Sequence, residues 1–132
     1  MIGLDTNIIV RYIMLDDPVQ SSKAVRFVER HFTEQDTAFI SLASVLETVW
    51  VLQSVYRLSN QQVAQAIERM LQVKTVTVQN ENEVFAAARM LRTGQGSFED
   101  ALIGALGTWA GCDSTLTFDR KASRLPGFKL IA

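Results

Sequence analysis

The sequence predicts an α/β protein whose parallel sheet is covered by helices on both faces. Short apolar or β-branched runs alternate with longer stretches that have helical spacing of apolar residues, and cap signals separate them. No repeat, low-complexity tract or Pro/Gly-rich linker interrupts the chain. With 132 residues it has the usual size of one domain, so we expect a single domain over residues 1–132.

The first part of the chain predicts two strands with a helix between them. Met1–Asp5 is apolar up to its last residue and predicts a short, fully buried strand. Asp17 followed by Pro18 is typical of a helix start, because an N-cap precedes a proline at the first helical position. We expect this helix to end near His31, and Thr37–Ser41 (TAFIS) to form the second strand.

The middle of the chain predicts two helices and a strand. Apolar residues recur at helical spacing through LASVLETVWVLQSVY, which predicts a helix from residue 41 or 42. Ser59 with Gln62 three residues later is a capping-box pattern for a helix to about Gln72. The β-branched run Lys74–Val78 (KTVTV) predicts the third strand.

The last part predicts two more helices and two strands. Asn80 with Glu83 predicts a capped helix that ends near residues 93–94, where Thr-Gly stops it. Ser97 with Asp100 predicts the start of the next helix, through ALIGALGTWAG. The remaining elements are a strand at Ser114–Phe118, a turn or short helix at Arg120–Leu125 and a last strand at Phe128–Ile131.

Composition excludes several classes of function. The net charge of −1 does not indicate a general nucleic-acid binder, so such a partner would need a local basic patch. No apolar run could cross a bilayer, and no export signal is visible, so we expect a cytoplasmic protein without a membrane partner. The single cysteine, Cys112, fits a reducing compartment and is expected to be a small buried residue. The one histidine, His31, is expected on the solvated surface.

Four carboxylates are expected to meet at one edge of the sheet. Asp5 ends the first predicted strand, and Asp119 directly follows the strand Ser114–Phe118. Ligands of parallel sheets bind beyond the carboxyl ends of the strands, where both acids are expected. Asp100 lies in the first turn of a helix that leads into a strand, so it starts on the same side. Glu47 lies deeper on its helix, but helical side chains tilt toward the N-terminus.

Like charges raise one another's pKa and oppose folding, whereas a hard divalent cation removes the conflict. Mg²⁺ or Mn²⁺ suits carboxylate oxygens and would support hydrolysis of a phosphodiester. Each acid also has a structural interpretation: Asp100 as part of a cap, and Asp119 as the opening of a turn. Glu99 is expected only at the rim of the site.

Basic and apolar side chains suggest partners. The cations that could line the crevice and hold a nucleic-acid backbone are Arg11, Lys23, Arg26, Arg120, Lys121 and Arg124. Solvated surface charges are the alternative. The helices in TVWVLQSVY and QQVAQAIERML are apolar enough to bury a partner or a second copy, or they are ordinary core faces.

Three stretches in order resemble the PIN domain, and within it the VapC-like toxins of toxin–antitoxin pairs. They are MIGLDTNIIVRYI, SLASVLETVWVL and FEDALIGALGTWAGCDSTLTFDRKASRLPGFKLI, which together span essentially the whole chain. The resemblance implies a PIN-like three-layer α/β sandwich with a central, mostly parallel sheet. It also implies a Mg²⁺- or Mn²⁺-dependent endoribonuclease.

The resemblance assigns roles to named residues. Asp5 and Asp100 would be the main metal ligands, with Glu47 and Asp119 completing the cluster. The supporting threonines, Thr6 and Thr117, would hold the carboxylates by hydrogen bonds. Many relatives carry a further acid at the position of Ser97. The family is usually homodimeric and inhibited by a cognate antitoxin, whose tail fills the active-site groove and whose own domain binds operator DNA.

The sequence is also compatible with other classes of function. A non-catalytic PIN-like module would bind RNA or protein without binding metal near the four acids, and some PIN nucleases process RNA without an antitoxin. A phosphoryl-transfer enzyme with Asp5 as nucleophile needs a second aspartate two residues later, where this chain has Asn7.

Overall fold

Short parallel strands alternate with helices along the whole chain in the computed structural model, which describes residues Met1–Ala132. The strands are β1 (Ile2–Gly3), β2 (Ala38–Ile40), β3 (Val76–Val78), β4 (Thr115–Thr117) and β5 (Phe128–Leu130). The helices are α1 (Thr6–Met14), α2 (Pro18–Arg26), α3 (Leu42–Ser54), α4 (Asn60–Leu71), α5 (Glu81–Arg92) and α6 (Phe98–Trp109). A π-helical turn, Phe27–His31, extends α2, and a 3₁₀ helix, Ala122–Arg124, precedes β5.

All strand pairs are parallel, which confirms the predicted α/β sandwich. β1, β2 and β3 form one sheet in that order, with Ile2 opposite Ala38 and Phe39 opposite Thr77. β4 and β5 form a second, two-stranded sheet. The hydrogen-bonded ladder is therefore divided, because β1 pairs only with β2 and β4 only with β5.

The start of the chain differs from its prediction. The predicted buried strand Met1–Asp5 is a two-residue edge strand, and Ile2 is 54% exposed. The sequence prediction also lacked the helix α1, whose N-cap is Asp5. Strand side chains point to the two faces of the sheet, and this short edge strand leaves Ile2 outside the core cluster. The expectation of a fully buried first strand was wrong for this reason.

The core lies where α3, α4, α5 and α6 meet. These helices bury one apolar face each, so that the largest enclosed side chains come from all four elements. The fully enclosed members include Leu52, Ile67, Leu91, Phe98 and Leu102. This packing fixes α3 and α6, the helices that carry Glu47 and Asp100.

Helix caps were predicted well, with one exception. Ser59 and Gln62 form the predicted capping box at α4. Asn80 is the N-cap of α5, but its φ of +51° is left-handed and its side chain caps no backbone group. Its Nδ2 instead donates to Oε1 of Glu83 at 3.1 Å. Asparagine tolerates the left-handed region better than most residues, so the helix still begins there.

A glycine allows α6 to lie against the second sheet. A Cβ atom at Gly104 would lie 2.6 Å from Cε2 of Phe128, closer than side chains approach one another. The absence of a side chain at this buried position therefore sets the approach of α6 to β5. The first turn of α6 carries Asp100, so this approach also positions the candidate site.

Two further expectations from the sequence have different outcomes. Cys112 is exposed rather than buried, because it lies in the turn between α6 and β4. His31 is exposed as expected, with its ring 5.1 Å from the rings of Phe27 and Phe32. None of the helices has the length and apolar character needed to span a membrane.

Candidate metal centre

Asp5 and Glu47 come from distant parts of the chain and are joined through Thr6. Oδ1 of Asp5 caps α1 by accepting the backbone N–H of Thr6 at 2.7 Å. The hydroxyl of Thr6 donates to Oε1 of Glu47 on α3. Thr6 is buried, whereas both acids are exposed to solvent. The first pair of predicted acids therefore meets at the junction of β1, α1 and α3.

Asp100 and Asp119 form a second pair in one cleft of about 380 Å³. Asp100 lies in the first turn of α6, where Ser97 Oγ accepts its backbone N–H at 3.1 Å. Asp119 lies two residues beyond β4. Gln53 of α3 and Asn60 of α4 also line this cleft, and the sequence prediction included neither.

The carboxylate of Asp119 is held by the turn that it opens. Its Oδ1 accepts the backbone N–H of Lys121 at 2.8 Å and that of Ala122 at 3.4 Å. The backbone N–H of Asp119 donates to Oγ1 of Thr117 at 3.0 Å. Thr117 thus positions the backbone of Asp119 rather than its carboxylate. Asp119 opens the turn through Oδ1, and this structural role is compatible with a role as a metal ligand.

Glu99 connects the two halves of the site. It is half-buried and lines the cleft of Asp100 and Asp119. It also lines an apolar groove between α3 and α6 that includes Glu47. Sequence reasoning placed Glu99 only at the rim. Its spacing to Leu102, Ile103 and Leu106 on the same helix was the signal that could have placed it in the groove.

None of these five acids has a basic partner. The ion pairs of the protein join the terminal amino group to Asp36, Arg11 to Asp16, Lys74 to Glu34 and Arg92 to Glu68. Carboxylate oxygens that no ion pair occupies are the donor set that hard divalent cations prefer, so the chemistry of the site fits Mg²⁺ or Mn²⁺.

The geometry brings the acids together in pairs. No group of three or more His, Cys, Asp or Glu side chains lies close enough together to ligate one ion. The expected convergence of four carboxylates is therefore present only as Asp5 with Glu47 and Asp100 with Asp119. Like charges oppose closer approach, and a divalent cation removes that opposition.

The predicted nucleic-acid contacts are dispersed. Lys121 is exposed and lines the cleft with Asp100 and Asp119. Arg120 is exposed beside it in the chain. Arg11 does not line this cleft and forms an ion pair instead, with its Nη1 3.0 Å from Oδ1 of Asp16. The cleft therefore contains one cation from the predicted set.

Comparison with known protein families agrees with this arrangement. The chain matches the profile of the PIN domain over residues 2–127. No curated protein sequence matches it. PIN domains are generally nucleases and typically use divalent metal ions. The order of the elements, the paired acids and the extent of the match together show that this chain belongs to the PIN domain family.

Proposed function

We propose that the protein is a Mg²⁺- or Mn²⁺-dependent endoribonuclease that acts in the cytoplasm as the toxin of a toxin–antitoxin pair. The observation that carries the nuclease proposal is the pair Asp100 and Asp119, which share one cleft without any basic partner. A divalent cation bound in this cleft would offset the repulsion between the two carboxylates.

Each side chain has a distinct task in this proposal. Asp100 and Asp119 would hold the cation, and Asp5 and Glu47 would move toward it once its charge removes the repulsion between the two pairs of acids. The bound ion supplies Lewis-acid polarisation of the phosphodiester and lowers the pKa of a bound water. Thr6 keeps the carboxylate of Glu47 in a fixed orientation through its hydroxyl. Lys121, which lines the same cleft, would hold a non-bridging phosphate oxygen.

Cleavage of a labelled single-stranded RNA tests the proposal. Asp100→Asn and Asp5→Asn should each lower the rate at least about 100-fold, because a charged oxygen ligand is lost. Asp113→Asn is the matched control, since Asp113 is exposed and outside the cleft and groove. Full Mg²⁺-dependent activity of Asp100→Asn, in a variant with unchanged circular dichroism, would overturn the assignment.

Titration calorimetry with Mn²⁺ separates this function from a non-catalytic RNA- or protein-binding module. A nuclease should bind Mn²⁺ in a manner that Asp119→Asn weakens and Asp113→Asn does not. A module without catalysis should show no metal binding that depends on Asp119. The measurement needs no RNA, so it remains decisive when the natural substrate is unidentified.

An antitoxin is the proposed regulator. The acidic cleft is complementary to a basic peptide tail, whose Arg or Lys side chains could neutralise Asp100 and Asp119. We propose that a cognate antitoxin inhibits in this way and contacts operator DNA through its own domain. Co-expression with the product of the neighbouring reading frame tests this, and persistent RNA cleavage would favour an RNA-processing nuclease without an antitoxin.

A homodimer is also proposed. The accessible surface is 8086 Å², whereas a compact monomer of this mass exposes about 6,900 Å². Apolar side chains on or beside the edge strands, including Ile2, Leu116 and Phe118, account for part of this surface. Sedimentation equilibrium should detect dimers that Leu116→Asp weakens. A monomer at all concentrations would contradict this part of the proposal.

A further inference from the structure

An apolar groove of about 430 Å³ lies between α3 and α6, next to the acidic cleft. Four aliphatic side chains of these two helices line it together with Trp50, Glu47 and Glu99. Glu99 lines both the groove and the cleft, so the two are continuous. A ligand in the groove would therefore lie beside the groups that are proposed to act on the phosphodiester.

Trp50 gives the groove an aromatic surface. The side chain is 60% exposed although it belongs to a helix whose other face is in the core. Glu47 and Gln53 lie three residues before and after it, so helical spacing places all three on one side of α3. Glu47 lines the groove and Gln53 lines the cleft. Trp50 thus lies on the path between the two.

Glu99 gives the groove an acceptor without a partner. Its carboxylate is half-buried and takes part in no hydrogen bond and no ion pair. An ionised carboxylate has two acceptor oxygens and no donor. The ligand that complements it therefore presents two adjacent N–H donors next to a flat, apolar face.

We infer that this groove is a nucleobase subsite that takes an unpaired guanine of the RNA substrate. The inference deepens the proposed nuclease function and rests on it. Unpaired bases of RNA stack on aromatic side chains and are recognised by hydrogen bonds to their Watson–Crick edges. Guanine stacks on Trp50, and its N1–H and N2–H₂ donate to the two carboxylate oxygens of Glu99.

The other bases complement Glu99 less well. Adenine and cytosine present one amino donor next to a ring-nitrogen acceptor, and that acceptor would face a carboxylate oxygen. Uracil presents one N–H between two carbonyl acceptors. A base stacked on Trp50 would cover the half-buried carboxylate of Glu99, and a site built to hydrogen-bond its ligand discriminates against a ligand that leaves its polar group unpaired. The carboxylate of Glu99 therefore selects guanine.

A second copy of the chain fits the groove less well than a base does. In a two-fold symmetric contact the same patch of both subunits would meet. The groove has no basic side chain among its lining residues, so in a symmetric contact centred on it neither copy would supply a donor to Glu99. An apolar protein segment would likewise leave the Glu99 carboxylate desolvated and unpaired.

Tryptophan fluorescence tests the inference without catalysis. Trp109→Phe leaves Trp50 as the one indole, because the chain has two tryptophans. The measurement is made in EDTA, so that no metal supports cleavage. A tetranucleotide of three uridines and one guanosine should then quench the fluorescence of Trp50. Replacing guanine by inosine, which lacks the N2 amino group, should weaken binding about 10-fold or more, as expected for a lost hydrogen bond to a charged group. Adenine should bind no better than inosine.

Two variants supply the controls. Trp50→Phe leaves Trp109, which is 65% exposed but lines a different cavity beside α5, so its fluorescence should not respond. Glu99→Gln should bind guanine and inosine with similar affinity, since the amide no longer offers two acceptors. If Trp109→Phe does not fold, the KM for a guanine-containing RNA substrate tests the subsite instead. Trp50→Ala should raise this KM about 10-fold, because the stacking surface is lost, and Trp109→Ala should not.

The inference and the proposed function fail in different ways. No quenching by any tetranucleotide, together with RNA cleavage that Asp100→Asn abolishes, overturns the subsite and leaves the nuclease intact. Equal quenching by guanine and adenine overturns the assignment of guanine. Dimers that Trp50→Glu dissociates would show that the groove is an interface between copies, which also overturns the inference. Full cleavage by Asp100→Asn removes the nuclease function itself.

Discussion

The hydroxyl of Thr6 donates to Oε1 of Glu47, a residue that lies 41 positions later in the chain. This hydrogen bond ties the first residue of α1 to the second turn of α3. The backbone N–H of the same threonine is already held by Asp5. One buried residue therefore contacts two of the candidate metal ligands, and substitution of its side chain should affect Glu47, because the backbone N–H that Asp5 accepts remains.

Thr6→Val removes the hydroxyl while keeping the size of the side chain. We expect about 1 kcal/mol less unfolding free energy, the usual net value of one hydrogen bond. We also expect weaker Mn²⁺ binding, because Glu47 is no longer oriented. Thr6→Ser keeps the hydroxyl and is the control. Urea unfolding and Mn²⁺ titration measure the two effects, and unchanged Mn²⁺ affinity in Thr6→Val would contradict the orienting role.

Divalent cations should stabilise the folded protein. At a metal concentration tenfold above Kd the expected gain is about 1.4 kcal/mol, or roughly 5 °C in Tm for a domain of this size. Asp119→Asn should abolish this gain, since one of the paired carboxylates is lost. Calorimetric scans with Mn²⁺ and with EDTA measure it. An equal gain in Asp119→Asn would place the metal elsewhere, and Asp113→Asn should behave like the unmodified chain.

Two serine caps allow a matched comparison. Ser97 and Ser59 each accept the backbone N–H of a residue three positions later, at 3.1 Å and 3.2 Å. Substitution of either by alanine should cost about 1 kcal/mol of stability. Only Ser97→Ala should also lower RNA cleavage, because Ser97 holds the backbone of Asp100. Equal activities of the two variants would show that this cap has no role in positioning the acid.

The acid side of the stability curve should depend on Tyr56. Its hydroxyl donates to Oδ2 of Asp16 at 2.7 Å, and Arg11 lies 3.0 Å from Oδ1. The hydrogen bond from Tyr56, helped by Arg11, lowers the pKa of Asp16 below its ordinary value. A lowered folded-state pKa stabilises the protein above the unfolded pKa of about 4, and this contribution is lost as pH falls through the folded value.

Tyr56→Phe should therefore lose more stability at pH 7 than at pH 3, which urea unfolding at both pH values measures. Tyr12→Phe is the matched control, since the hydroxyl of Tyr12 contacts Glu29 at the longer distance of 3.4 Å. An equal loss at both pH values in Tyr56→Phe would show that the ionised Asp16 gains nothing from the contact.

Local signals in the sequence determined most of the elements. The Asp17–Pro18 helix start, the capping box at Ser59 and the cap at Ser97 all formed as predicted. Such caps are hydrogen bonds between residues two or three positions apart, so the chemistry of neighbouring residues suffices to specify them. The positions of the acids at strand ends and helix starts were fixed by the same local patterns.

The tertiary structure alone decided which acids are neighbours. Asp5 meets Glu47 because α1 packs beside α3, and Asp100 meets Asp119 because Gly104 lets α6 approach β5. The role of Glu99 depends on the continuity of the groove and the cleft. These relationships join residues far apart in the chain, and they follow from the packing of whole helices, which the sequence pattern of one element does not contain.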